Sequence, residues 1–80
     1  MSSTLQTLAS KLAKETLALQ RQTGEDRLYM EVGKVLGQSS QTLEEAFLTE
    51  VRVRMAEEKA RAFLKERVTE IRAAQKNPST

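Results

Sequence analysis

The sequence contains one uninterrupted stretch, from Thr42 to Gln75, without a single Gly or Pro. Most of its residues are Glu, Arg, Lys, Ala and Leu, which are strong helix formers, so the stretch predicts one continuous α-helix. At ~1.5 Å per residue such a helix is about 50 Å long. A chain of 80 residues cannot bury that length in one compact domain, so the helix needs a second helical layer, a partner chain, or both.

The composition limits how so small a chain can be stabilised and what chemistry it can perform. Small domains often rely on disulfides, bound metal or oligomerisation, and the sequence contains no Cys and no His. Disulfides, zinc sites and thiol or imidazole catalysis are therefore excluded, and oligomerisation remains. The paired carboxylates at 44–45 and 57–58 point about 100° apart on a helix and do not share a site. We expect no enzymatic activity, no cofactor and no metal.

Charge and hydropathy favour a soluble protein. Thirteen basic and eleven acidic residues leave a net charge of +2, far from that of a nucleic-acid-binding tail. No apolar run approaches the ~20 residues of a membrane span, and the acids interspersed among the bases oppose binding to a membrane surface. We expect a cytoplasmic protein without a membrane partner.

Two shorter helices are predicted ahead of the long one. The first runs from about residue 4 to residues 22–23 and ends at Gly24, a typical breaker or C-cap. Its predicted buried face is a stripe at helical spacing that consists of Leu5, Leu8, Ala9, Leu12, Thr16 and Leu19.

The second helix is predicted from capping residues at both ends. Thr23 with Asp26 is its predicted start and Gly37 its cap, while Thr42 with Glu45 forms the capping box of the long helix. A strand over residues 28–32 is the competing interpretation, but no other segment could pair with it.

These elements predict an all-α fold: a helical hairpin of two short helices packed antiparallel along one long C-terminal helix and completed by oligomerisation. The combined length of the short helices approaches that of the long one. Residues 1–76 are predicted to form a single helical domain, and residues 77–80, which begin with Asn77-Pro78, a disordered tail.

The long helix carries two apolar rows in different halves. At about 100° per residue, the second row lies well over 90° around the axis from the first. Neither row is a sustained heptad repeat, which argues against a regular parallel coiled coil. The first row is Leu43, Phe47, Val51 and Met55, and the second is Ala56, Ala60, Leu64 and Val68, with Phe63, Ile71 and Ala74 beside it.

Two rows in two halves indicate two different neighbours, or a bend near Arg54–Glu57 that realigns them. We favour two neighbours: the chain's own hairpin for the first half, and another subunit or a partner protein for the second. A monomeric bundle whose long helix curves around its own core is the simpler alternative. The predicted protein interface consists of Ala56, Ala60, Phe63, Leu64, Val68 and Ile71.

A DNA-binding interpretation rests on residues 32–46, which resemble the generic helix-turn-helix pattern. Gly33 and Gly37 take the positions of the small residue and the turn glycine, although Gln38 stands where an apolar residue is expected. The apolar anchors are Val32, Leu36 and Leu43. The resemblance implies that Ser39, Ser40, Gln41 and Thr42 face the major groove.

The acids at 44 and 45 would then oppose the DNA phosphates. A capped turn between two bundle helices explains the same residues without that repulsion. The sequence therefore predicts a small helical module that binds another protein, itself, or both, and acts as an adaptor, regulator or assembly subunit. The alternative is a small DNA-binding regulator, with a helix-turn-helix-like segment at 26–48 and a dimerising C-terminal helix.

Overall fold

The computed structural model describes residues 3–76 and contains three helices in that range. Helix α1 spans Ser3–Thr23, α2 spans Leu28–Ser39 and α3 spans Gln41–Lys76. The predicted all-α fold is confirmed, since two short helices pack along one long C-terminal helix, while its completion by oligomerisation stays a prediction. The tail predicted for residues 77–80 lies outside the described residues.

The end of α1 is fixed by Gly24, as predicted. Gly24 has a φ of 78°, a left-handed backbone conformation that residues other than glycine adopt only at an energetic cost. Its N–H donates to the carbonyl of Gln20 at 2.8 Å. The hydroxyl of Thr23 donates back to the carbonyl of Leu19 at 2.8 Å, so Thr23 belongs to the last turn of α1.

The start of α2 differs from the prediction. The helix begins at Leu28, not near Thr23 or Asp26, and the residue before it, Arg27, makes no capping bond with its side chain. The cap comes instead from α1, because the N–H of Tyr29 donates to the side-chain oxygen of Gln20 at 2.8 Å. A cap supplied by another helix leaves no local sequence signal, which is why the prediction was wrong.

The connection between α2 and α3 is the single residue Ser40. Its N–H donates to the carbonyl of Leu36 at 2.8 Å and closes α2. Its hydroxyl accepts the N–H of Leu43 at 3.1 Å and caps α3. The caps predicted on Gly37 and Thr42 are therefore wrong, since Gly37 lies inside α2 and Thr42 inside α3.

Gly37 has a packing role instead. A Cβ atom built on it would lie 2.5 Å from a carboxylate oxygen of Glu44, so the end of the Glu44 side chain lies directly against this glycine. Gly33, one turn earlier, lies against Leu48 in the same way. Since later residues of α3 meet earlier residues of α2, the two helices are antiparallel.

Helix α1 runs parallel to α3, so the antiparallel arrangement expected for both short helices is wrong for α1. Ala9 and Ala46 line the same groove between the two helices, and Arg21, twelve residues after Ala9, forms an ion pair of 2.9 Å with Glu58. Both short helices therefore lie side by side against the first half of α3. Their combined length does not cover the second half.

The core lies between the three helices and confirms the intramolecular role of the first apolar row. Phe47 and Val51 of α3 are completely buried, and they contact Ala13 and Leu17 of α1. Half-buried residues close the cluster, namely Leu12, Tyr29, Val32, Leu36, Leu48 and Met55.

The predicted stripe of α1 is confirmed only in part: Ala9 and Thr16 are buried and Leu12 packs against the core, but two of its leucines are largely exposed. Leu8 and Leu19 are 47% and 46% exposed. The buried positions are the small side chains of Ala9, Ala13 and Thr16, together with Leu17, which lay outside the stripe. Small side chains let two helix backbones approach closely. Helix α1 therefore packs its alanine side against α3 and leaves Leu8 and Leu19 exposed.

Candidate interaction surface on α3

We call α1, α2 and residues 41–55 the body of the protein. The second half of α3, residues 56–76, extends away from this body and is called the extension. Every residue in it is exposed, whereas residues 41–55 include the fully buried Phe47 and Val51. The helix is continuous through residues 54–57, where a bend was the alternative explanation for the two rows. At ~1.5 Å per residue the extension is about 30 Å long.

The predicted interface residues all lie on this extension, and we call the surface that they form the distal face. At about 100° per residue, Ala60 lies roughly 180° from Val51, so the distal face points away from the body. Its large side chains are those of Phe63, Leu64, Val68 and Ile71, which are 56%, 58%, 43% and 49% exposed. Four large apolar side chains on one exposed helix are typical of an interaction site.

Val53 extends this surface toward the body and is missing from the predicted interface. It is 62% exposed and lies one heptad before Ala60, so the two residues point in nearly the same direction. The prediction missed it because the two rows were separated at residues 55 and 56. The spacing of seven residues to Ala60 was the signal that could have identified it.

Two ion pairs place charged side chains on and beside the distal face. Arg61 contacts Glu57 at 2.9 Å, and Arg67 contacts Glu70 at 3.3 Å. The guanidinium of Arg67 also lies 5.2 Å from the centroid of the Phe63 ring, within the range of a cation–π interaction. These exposed pairs add little stability, but they hold the arginine side chains in defined positions beside the apolar residues.

Arg54 connects the base of the extension to α1. Its Nη2 donates to the hydroxyl of Ser10 at 2.7 Å. Its Nε lies 3.6 Å from a carboxylate oxygen of Glu50, an ion-pair distance too long for a hydrogen bond, so this buried nitrogen has no hydrogen-bond partner in the described structure. Arg54 thus serves the contact between α1 and α3.

The residues of the DNA-binding interpretation lie around the connection between α2 and α3. Ser39, Gln41 and Thr42 are exposed, while Ser40 is half-buried and its hydroxyl caps α3. The connection is one residue long, shorter than the turn of three or four residues typical of the helix-turn-helix motif. Gly37, the proposed turn glycine, lies inside α2.

Within residues 3–76, no group of three or more acidic side chains is placed to hold a metal ion. None of the described helices combines the length and the apolar character needed to cross a membrane. In comparisons with known proteins, no family model, no curated protein and no solved structure matches the chain.

Proposed function

We propose that the chain is a small, non-enzymatic protein–protein interaction module that associates through the distal half of α3. In this proposal α1, α2 and residues 41–55 form a body whose role is to present the extension. The extension docks its apolar side on a helix of another polypeptide, as an adaptor, regulator or assembly subunit does.

One observation carries the proposal: a helix about 30 Å long presents Phe63, Leu64, Val68 and Ile71 on one side without contact to the described body. Isolated helices of this length are marginally stable in water, because helix stability comes mainly from packing of an apolar face. A partner that covers this face would supply that packing. Large aromatic and aliphatic side chains are also the usual energetic centres of protein interfaces.

The DNA-binding alternative has less support. The hydroxyl of Ser40 is used within the chain, and Glu44 lies close to the connection that would approach DNA. A DNA binder of this kind would lose affinity steeply as salt is raised. We expect no retention on a DNA column at physiological salt.

The direct test replaces Phe63 with Trp, because the sequence contains no other Trp. At concentrations where light scattering gives the mass of a monomer, the indole at position 63 should be quenched by acrylamide as readily as that of an unfolded peptide. Tyr29→Trp is the matched control, since Tyr29 packs against the core and its replacement should be protected. An indole at position 63 that is shielded in the monomer would show that the extension folds onto its own body, and the proposal would be wrong.

A further inference from the structure

We propose that the partner of the distal face is a second copy of this chain, paired antiparallel with the first over residues 53–71. The inference rests on the proposed function, because it names the occupant of the same surface. The two-fold axis passes near Ala62, so residue 53 of one copy lies opposite residue 71 of the other.

The first observation is the spacing of residues along the exposed side of α3. Starting from the exposed Val53, positions separated alternately by four and three residues follow one side of the helix through Ile71. This is a heptad pattern, but two of its positions are charged, so the apolar residues alone do not reveal it. The positions are Val53, Glu57, Ala60, Leu64, Arg67 and Ile71.

The chemistry of these positions is complementary when the second helix is antiparallel. Val53 faces Ile71 of the second copy, an apolar pair. Ala60 faces Leu64 of the second copy, so a small side chain lies opposite a large one and the backbones can approach. Each pair occurs twice because of the two-fold symmetry.

The charged layer sets the orientation. In the antiparallel arrangement Glu57 faces Arg67 of the second copy, and opposite charges meet twice. In a parallel dimer each of these residues would face its own copy, which places like charges together. Glu57 is held by Arg61 at 2.9 Å and Arg67 by Glu70 at 3.3 Å, so each pairing of Glu57 with Arg67 joins four side chains of zero net charge.

Phe63 lies beside the two-fold axis, where its ring meets that of the second copy. Arg61 also approaches its own copy near the axis, on the other flank of the interface. That repulsion is reduced because each Arg61 already binds a carboxylate of its own helix, that of Glu57.

The same residues fix the register. A shift of one heptad in one direction places Arg67 opposite Leu64, a charge against an apolar side chain. The opposite shift places Ile71 opposite Ala46, which lies in the groove beside α1. The body does not obstruct the second copy in the proposed register, because Arg21 of α1 contacts α3 at Glu58, away from the distal face.

Charge reversal tests the orientation, with mass measured by sedimentation over a range of concentrations. Glu57→Arg alone and Arg67→Glu alone each create two like-charge contacts, and each should raise the dimer dissociation constant by roughly a hundredfold. The double variant restores the attraction and should be dimeric. An equimolar mixture of the two single variants should form a heterodimer.

Two controls separate a change at the interface from damage to the fold. Glu66→Arg makes the same change of charge at an exposed position outside the interface and should leave the dimer intact. Leu64→Glu should dissociate the dimer, whereas Leu8→Glu, a leucine of comparable exposure on α1, should not. Circular dichroism of each variant checks that the body remains helical.

Dimeric wild type with monomeric single variants, and dimers in the double variant and the mixture, support the inference. It is wrong if the wild type stays monomeric at every concentration, or if the charge variants dimerise as the wild type does. Either result leaves the proposed function standing, provided that the indole at position 63 is exposed in the monomer. A shielded indole would contradict both the proposed function and the inference of a dimer.

Discussion

Helix α3 contains two phenylalanines that lie sixteen residues apart in one unbroken helix. Phe47 is completely buried between α1 and α2, and Phe63 is 56% exposed. Both positions are flanked by helix-forming residues, so local helix propensity does not distinguish them. The difference comes from how far the short helices reach along α3, and it shows that one continuous helix can be packed into the core in one half and exposed in the other.

The largest effect is expected from truncating these two side chains in the monomer. Phe47→Ala leaves a cavity in the core and should lower the free energy of unfolding by about 3–5 kcal/mol. Phe63→Ala truncates a half-exposed side chain outside the core and should change it by less than about 0.5 kcal/mol. Urea denaturation of both variants at low concentration provides the comparison. Equal losses would show that Phe63 is also part of a core.

The sequence was sufficient for the fold class and for the division of α3 into two rows, because both depend on helix propensity and periodicity within one segment. It was insufficient for features that contacts between helices determine. The cap of α2 comes from Gln20 on another helix, and the buried face of α1 is determined by the close approach of Ala13 to α3.

The candidate surface shows the same limit. The spacing in the sequence identified Phe63 and Ile71, and the structure places both on the exposed side of the extension. Val53 was missed when the rows were divided at residues 55 and 56. Its spacing of seven residues to Ala60 indicated the same side of the helix, and the structure adds that this residue is exposed.

An intermediate effect is expected at the start of the packed half of α3. Ser40→Ala removes the hydroxyl that accepts the N–H of Leu43, and it should cost about 1 kcal/mol of stability. Ser39→Ala, at an exposed neighbouring position, is the matched control and should have little effect. Thermal unfolding of the two variants checks this, and equal melting temperatures would argue against a capping role for Ser40.

The smallest effect is expected at the boundary between the two halves. The ion pair of Arg21 and Glu58 has side chains that are 60% and 51% exposed, so solvent screens it strongly. Glu58→Gln should lower the free energy of unfolding by no more than about 0.5 kcal/mol. A substantially larger loss in urea denaturation would mean that the body extends further along α3.

Hydrogen exchange along α3 tests the central contrast most directly. In the dilute monomer, amides of residues 41–55 should be protected by the core. Amides of residues 59–76 should exchange much faster, because no described residue of α1 or α2 packs on that segment. Raising the concentration should slow exchange in the second segment as its apolar face becomes covered. Strong and uniform protection along the whole of α3 in the monomer would contradict the division of this helix into two halves.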